Sequence, residues 1–256
     1  MNILVDIGNT TIAIALYERQ TFKNKFIIST SIDKVEDEYL LLLETLMRDV
    51  RDIKVENILI SSVVPKVTRT IKAVLKRMFH VEPSLVGIGF KTGVMIRIDN
   101  PSELGTDLVC DIVGGVNLYK APMIIVDVGT ATKILVIDKA GSFIGCVIAP
   151  GILTSAATLI QKTSLLPQTD LVYPKSIIGK NTSDSLKAGM VVGHAEMIKG
   201  MCARIEEKIG YSCKRILTGG NAFSIKDYLE NSGFLSNDNL LFEGLNFILK
   251  KNVLKD

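Results

Sequence analysis

Met123-Ile124-Ile125-Val126-Asp127-Val128-Gly129-Thr130-Ala131-Thr132 is an apolar run that ends in an acid and breaks at a glycine turn. The chain carries the same arrangement once before, as Ile3-Leu4-Val5-Asp6-Ile7-Gly8-Asn9-Thr10-Thr11. Ile12-Ala13-Ile14-Ala15-Leu16 continues the first copy and Ile134-Leu135-Val136-Ile137 the second, so each reads as strand, tight turn, strand. A third short segment follows in each case, at 25–30 and at 142–148. A unit met twice in the same order predicts two similar halves acting on one phosphate-bearing ligand.

The chemistry of the turn supports that ligand. Glycine lets the backbone approach a phosphate closely, and the adjoining Asn9, Thr10 and Thr130 add hydrogen-bond donors to the exposed amides. A carboxylate at the strand end repels phosphate, but it can hold a hydrated Mg2+ that bridges to the phosphate oxygens. Asp6 and Asp127 are therefore the candidate metal residues. Asp-x-Gly is also a common hairpin turn, and the repetition in matching strand contexts is what favours the functional reading.

At 256 residues the chain can bury a large core. Its 30 basic and 27 acidic residues leave a formal charge of +3 with no basic stripe, so no nucleic acid is expected as a partner. The N-terminus, Met1-Asn2-Ile3-Leu4-Val5-Asp6, has no basic leader, and no segment is apolar for a bilayer's width. The expectation is a cytoplasmic protein without a membrane partner. Cys110, Cys146, Cys202 and Cys213 show no paired spacing and read as reduced, buried thiols. His80 and His194 are too few for a metal cluster and read as structural.

Between the copies, helical spacing predicts helices over 34–50 and 65–79, with a strand at 55–60. Asn100-Pro101 predicts the start of a helix running from Glu103 through Leu118. That helix carries Asp107 just after Leu104-Gly105-Thr106, where a small residue allows a ligand close approach. A carboxylate at such an opening could orient an alcohol and take its proton during transfer to phosphorus. An ordinary exposed helical acid fits the local sequence equally well. Later, Thr182 or Ser183 is available to cap a helix bearing Ala188, Gly189, Gly193 and Ala195. Thr218-Gly219-Gly220-Asn221 ends a strand in a double-glycine turn, suited to the flat face of a base or ribose.

In order and spacing these segments resemble type III pantothenate kinase, of the acetate and sugar kinase, Hsp70 and actin superfamily. The resemblance covers nearly the whole chain. It rests on Asp6-x-Gly8-Asn9-Thr10; Lys91-Thr92-Gly93; Asn100-Pro101-x-Glu103-x-Gly105-x-Asp107; Asp127-x-Gly129-Thr130-Ala131-Thr132; Ile148-Ala149-Pro150-Gly151; Ile178-Gly179-Lys180-Asn181-Thr182; Thr218-Gly219-Gly220; and Glu243-Gly244-Leu245.

The resemblance implies an α/β fold of duplicated actin-like (ribonuclease H-like) domains, each a mixed sheet with flanking helices and a ligand cleft between, divided as 1–118 and 119–256. It implies ATP-dependent phosphorylation of pantothenate to 4'-phosphopantothenate, the first step of coenzyme A biosynthesis, by a homodimer. Mg2+ and a monovalent cation, K+ or NH4+, are the expected ions. Asp107 would be the catalytic base. Asp6, Gly8, Asn9, Thr10, Gly129, Thr130, Thr132, Gly219 and Gly220 would hold the nucleotide. Gly105, Thr106, Ile98 and Thr182 would meet pantothenate, Thr182 from the neighbouring subunit. A kinase for another small hydroxy acid or alcohol, and a nucleotide-binding regulatory paralogue without turnover, are the alternatives.

The chain departs from the family pattern at four places. Leu108 stands where the family has Arg, Ile98 where it has Tyr, Lys133 where it has Thr, and Cys146 where it has Gly. Leu108 cannot supply the planar five-donor fork of an Arg, and Arg97 and Lys91 are the nearby cations that could.

Overall fold

The computed structural model of the chain describes residues 1–18, 21–50, 53–87 and 89–253. The chain falls into two compact units. One comprises Met1–Gly93, Asn100–Asn117 and the chain from Leu240 onward, and the other Val94–Asp99 and Leu118–Asn239. The chain passes to the second unit at Val94, back at Asn100, over again at Leu118 and back once more at Leu240.

The first unit holds strands β1 (Asn2–Ile7), β2 (Thr11–Glu18) and β3 (Thr21–Ser29), helix α1 (Glu36–Leu46), β4 (Asn57–Ser62), α2 (Pro65–Phe79), β5 (Ser84–Leu85) and α3 (Thr106–Leu118). The second holds β6 (Met123–Val128), β7 (Ala131–Ile137), β8 (Phe143–Pro150), α4 (Ile152–Gln161), α5 (Thr182–Lys187), α6 (Gly193–Ile209), β9 (Lys214–Thr218), α7 (Lys226–Glu230) and β10 (Phe234–Ser236). Helix α8 (Leu240–Val253) closes the first unit. The sheet orders are β3-β2-β1-β4-β5 and β10-β9-β6-β7-β8, the same order read from opposite ends. In each, an antiparallel meander is extended by a parallel strand, β4 beside β1 and β9 beside β6. This is the duplicated actin-like architecture, two mixed sheets with flanking helices.

The central strands owe their position to composition. Ile3, Leu4 and Val5 in β1, and Ile124, Ile125 and Val126 in β6, are buried on both faces, as a continuous apolar run requires. Helices α1 and α2 cover β1, β2 and β4 through Tyr39, Leu43, Ile71, Val74 and Leu75. Helix α2 begins at Pro65, which needs no intrahelical partner there, and ends at His80 in the left-handed conformation, whose N–H returns to the Lys76 carbonyl at 2.9 Å. That is the structural role expected for His80.

Three expectations are adjusted. The helix expected from Glu103 starts at Thr106. Pro101–Glu103 forms a separate 3-10 turn capped by Asn100, and the extended Leu104 breaks the path. The helix expected to be capped by Thr182 or Ser183 is capped by Asn181, whose side-chain oxygen accepts from the Asp184 N–H at 2.9 Å. Among the four free cysteines, Cys110 and Cys202 are buried, but Cys146 on β8 is exposed.

Helix α8 belongs to the first unit because Gly244 lies against the Cys110 carbonyl of α3, with no room for a Cβ between them. Its Glu243 accepts a hydrogen bond at 3.1 Å from the buried Tyr17 hydroxyl of β2. Burial, and then the Glu243 carboxylate, push the Tyr17 phenol well above its usual range. Tyr17→Phe is expected to destabilise this unit by about 1–2 kcal/mol, since it strips a part-buried carboxylate of a donor while leaving the ring in place. Urea denaturation checks this, and an unchanged midpoint would contradict it.

Candidate functional site

In the first unit the turn after β1 is built from its own backbone. The Gly8 N–H donates to the Thr11 carbonyl at 2.9 Å, and Thr30 clamps the turn, its hydroxyl on the Gly8 carbonyl at 2.7 Å and its N–H on the Thr10 carbonyl at 2.9 Å. Asn9 and Thr10 are left exposed at the tip. Asp6 stands at the end of β1 with Ala13 of β2 and Ser61 of β4 as its cross-strand neighbours.

Helix α3 is fixed beside that strand end. The Thr106 hydroxyl accepts from the Ser62 N–H at 3.0 Å and lies 3.1 Å from the Ser61 hydroxyl, tying the first residue of the helix to the carboxyl end of β4. Asp107 follows in the first turn, where the helix dipole favours a negative charge. Its Oδ1 folds back over Gly105, which leaves no space for a Cβ. Leu108 is buried. Burial, followed by the charges of Asp6 and Asp111 and also of Asp107, holds Cys110 well above the ordinary thiol value, against a hydrogen bond to Ser61. Asp111, one turn further along α3, is buried.

In the second unit the equivalent turn repeats the pattern, with the Gly129 N–H on the Ala131 carbonyl at 3.0 Å. The Thr130 carbonyl accepts from the Gly151 N–H at 3.0 Å and the Thr154 hydroxyl at 2.7 Å, so the Pro150-Gly151 segment serves as a strut beneath the turn. Thr130 is exposed. Thr132 is not: it is fully buried, with its hydroxyl 2.8 Å from His194 Nε2 of α6. Its placement under the turn differs from the direct nucleotide contact expected, because alternation along β7 sends it to the face that α6 covers. Burial lowers the His194 pKa. No local pattern signals this partnership, which joins residues 62 positions apart.

Asp127 occupies the same place on β6 as Asp6 on β1, but its neighbours differ. Lys133 of β7 and Thr218 of β9 are its cross-strand partners, and Lys133 Nζ lies 2.6 Å from Asp127 Oδ2. Gly219, at φ +101°, turns the chain immediately after Thr218, and a Cβ there would meet the Val128 N–H and sit 2.5 Å from Asp127 Oδ1. The Asn221 N–H returns to the Val128 carbonyl at 2.9 Å, which locks the double-glycine turn to the end of β6. Gly220 is exposed beside it.

The remaining candidates stand apart in sequence. Ile98 lies in the Val94–Asp99 segment of the second unit, which pairs along β8 through Ile96 and Phe143. Arg97 lies 3.8 Å from Asp138 of the same unit. The Lys91 N–H is bonded to Asn252 of α8 at 2.9 Å. Thr182 is exposed at the start of α5, next to an open depression of about 570 Å3 lined by Ile178, Gly179, Gly189, Gly193 and Glu196.

Among the described residues no three His, Cys, Asp or Glu groups converge to hold a metal by themselves. A divalent ion at Asp6 would therefore take most of its ligands from phosphate and water, which is the habit of Mg2+ with nucleotides. The small neighbours Ala13 and Ser61 are compatible with that. Asp127, already engaged by Lys133, fits such an ion less well. No helix of the described residues is long and apolar enough to cross a membrane.

Comparison with known proteins accords with this geometry. The chain is 35% identical over 255 residues to a type III pantothenate kinase from Halalkalibacterium halodurans, covering 99% of this chain and 100% of that one. It is 36% identical over 258 residues to the enzyme of that name from Geobacillus sp. strain WCH70, covering 100% and 99%. Among solved structures, a protein from Campylobacter jejuni described as a Baf family transcriptional activator shares 18% identity over 98% of each chain with a TM-score of 0.62. One from Sinorhizobium meliloti described as a 2-dehydro-3-deoxygalactonokinase shares 11% over 100% of this chain and 98% of that one, with a TM-score of 0.58. At such identities these two structures speak for the fold alone. The family model described as type III pantothenate kinase matches residues 2–204, and with full-length relatives above 30% identity the chain belongs to the type III pantothenate kinase family.

Proposed function

We propose that the chain transfers the γ-phosphoryl group of ATP to the primary hydroxyl of pantothenate, giving 4'-phosphopantothenate and ADP. The observation that carries the reading is Asp107, set at the N-terminus of α3 by Thr106, whose hydroxyl ties the helix to Ser61 and Ser62 of β4, with Ser61 the cross-strand neighbour of Asp6. The hydroxyl oxygen bonds to the γ-phosphorus as the bond to the β,γ-bridging oxygen breaks. Asp107 accepts the hydroxyl proton, and the leaving charge stays on ADP. Exposed groups at Asn9 and Thr10, and at Thr130, hold phosphate oxygens, while Gly8 and Gly129 shape the two turns. A divalent ion held by Asp6 supplies neutralisation of phosphate charge when bound. Gly219 and Gly220 form the surface for the adenosine, and Thr132, gripped by His194, supports the second turn from below.

Gly105, Thr106 and Ile98 define the acceptor side in this reading, and Thr182 reaches the substrate of a second subunit in a homodimer. The small residues Gly189 and Gly193, with Ile178 exposed next to them, suit contact between two copies. The depletion of charge at Leu108 leaves pantothenate's carboxylate to be met by other donors.

The test is ADP release with ATP and Mg2+, with and without pantothenate, in sodium, potassium and ammonium salts in turn. ADP formation that requires pantothenate is the expected result, with the three salts reporting any demand for a monovalent ion. Turnover only with a different alcohol would replace the substrate assignment, and no turnover with any acceptor would end the kinase reading.

A further inference from the structure

We infer that His194 is a positioning residue for the nucleotide, holding Thr132 so that the second phosphate turn and the double-glycine turn keep one arrangement. Thr132 stands where the two turns meet. It follows Gly129-Thr130-Ala131 directly, and its cross-strand neighbour on β6 is Val128. The Val128 carbonyl accepts the Asn221 N–H at 2.9 Å, and Gly219 packs on the Val128 backbone too closely for a Cβ. A displacement of Thr132 is therefore felt by both turns.

The duplication supplies an internal control. In the first sheet the register sets Ile12 opposite Ile7, and in the second it sets Thr132 opposite Val128, each pair one step beyond the strand-end acid. Ile12 and Thr132 are both fully buried, so the fold accepts a wholly apolar side chain at this position. A hydroxyl placed there must find a partner, and His194 Nε2 supplies it at 2.8 Å. Exchanging such a pair for two apolar side chains of the same shape costs a protein little, so stability does not account for it. Burial depresses the His194 pKa and leaves a neutral imidazole, with one ring nitrogen to donate and one to accept.

The helix that delivers His194 is irregular just before it. Between α5 and α6 the chain makes a π-helical turn over Ala188–Val192, whose closing bond runs from the Gly193 N–H to the Ala188 carbonyl. The residue added by such a turn rotates the face beyond it by about 100° relative to a regular α-helix. His194 is the first residue past that bond. Turns of this kind are rare and gather at functional sites. The irregular turn and the buried hydroxyl lie on separate elements, and the Thr132–His194 contact is where they meet.

The inference rests on the proposal that the Gly129-Thr130 turn holds ATP phosphates, and the experiment separates the two. The affinity of the full chain for adenylyl imidodiphosphate with Mg2+ is measured by titration calorimetry, with thermal denaturation and steady-state kinetics alongside. An unaltered chain that does not bind the analogue would overturn both. His194→Ala is expected to weaken binding about 10-fold, the effect of one lost hydrogen bond to a buried hydroxyl, and to raise KM for ATP by more than it lowers kcat. His194→Gln, whose amide reaches about as far as Nε2, is expected to recover most of that affinity. The decisive variant combines Thr132→Val with His194→Leu, an apolar pair of similar shape. Its melting temperature should return close to that of the unaltered chain while its affinity stays about 10-fold low. Affinity that recovers together with stability would leave the pair a core-filling role and overturn the inference, as would unchanged affinity in His194→Ala, and in both cases the kinase reading survives. Should His194→Ala not fold, the nearly isosteric Thr132→Val carries the same expectation, and unchanged affinity there overturns the inference.

Discussion

Asp107→Asn is expected to reduce kcat by about 10²–10⁴-fold, the range for loss of a positioned general base, with little change in nucleotide affinity. Asn preserves the size of the side chain that folds over Gly105, and it leaves Thr106 docked on β4, so the helix start should hold. What disappears is the capacity to take a proton. The lower part of the range is the better expectation, because phosphoryl transfer passes through a loose transition state that demands little deprotonation of the acceptor before bond formation. Steady-state ADP release and direct binding of an ATP analogue together make the measurement. A variant with near-normal kcat would remove Asp107 from the chemistry, and one that also failed to bind nucleotide would point to a collapsed site.

Gly219→Ala is expected to be the most damaging single-methyl change in the second unit. The residue sits at φ +101°, where a side chain is strained, and the added carbon would press on the Val128 N–H and on Asp127 Oδ1. Relief requires moving either the end of β6 or the Asp127–Lys133 pair, and both adjoin the Gly129-Thr130 turn. Strain and displacement together are expected to cost about 2–4 kcal/mol and to abolish measurable nucleotide binding. Gly220→Ala provides the contrast, since nothing lies within 4 Å of a Cβ there and its φ is not in the left-handed region. That change should alter stability by no more than about 0.5 kcal/mol. Thermal denaturation with and without ATP distinguishes the two variants, and equal tolerance of both would refute the account of this turn.

The sequence revealed those features that depend on local pattern. Apolar runs broken by Asp-x-Gly located β1, β2, β6 and β7, and Pro65 with the amphipathic residues after it located α2 to the residue. Duplication was legible because each half repeats its strand order in the same chain order. The features that escaped are set by packing at long range. Thr132 reads like Thr10 in a motif, yet strand alternation and the arrival of His194 from 62 residues away put it in the core. Asn181, Thr182 and Ser183 are all good caps, and only the backbone shows that Asn181 is the residue preceding the first turn. Lys133 stood out as a departure, but only the register of β6 against β7 shows which carboxylate it meets. Cys110 carried no motif, and its burial with its carbonyl against Gly244 of α8 is a property of how α3 docks.

The seating of Gly244 against Cys110 bears on the order in which the polypeptide matures. The N-terminal sheet is synthesised well before the helix that completes its cover, with most of the other unit in between. The intervening unit can assemble during elongation, whereas the earlier one waits with α3 uncovered until Leu240–Val253 emerges. Nascent chains stalled just before residue 240 should accordingly be cleaved by protease in the first hundred residues while the later segment resists.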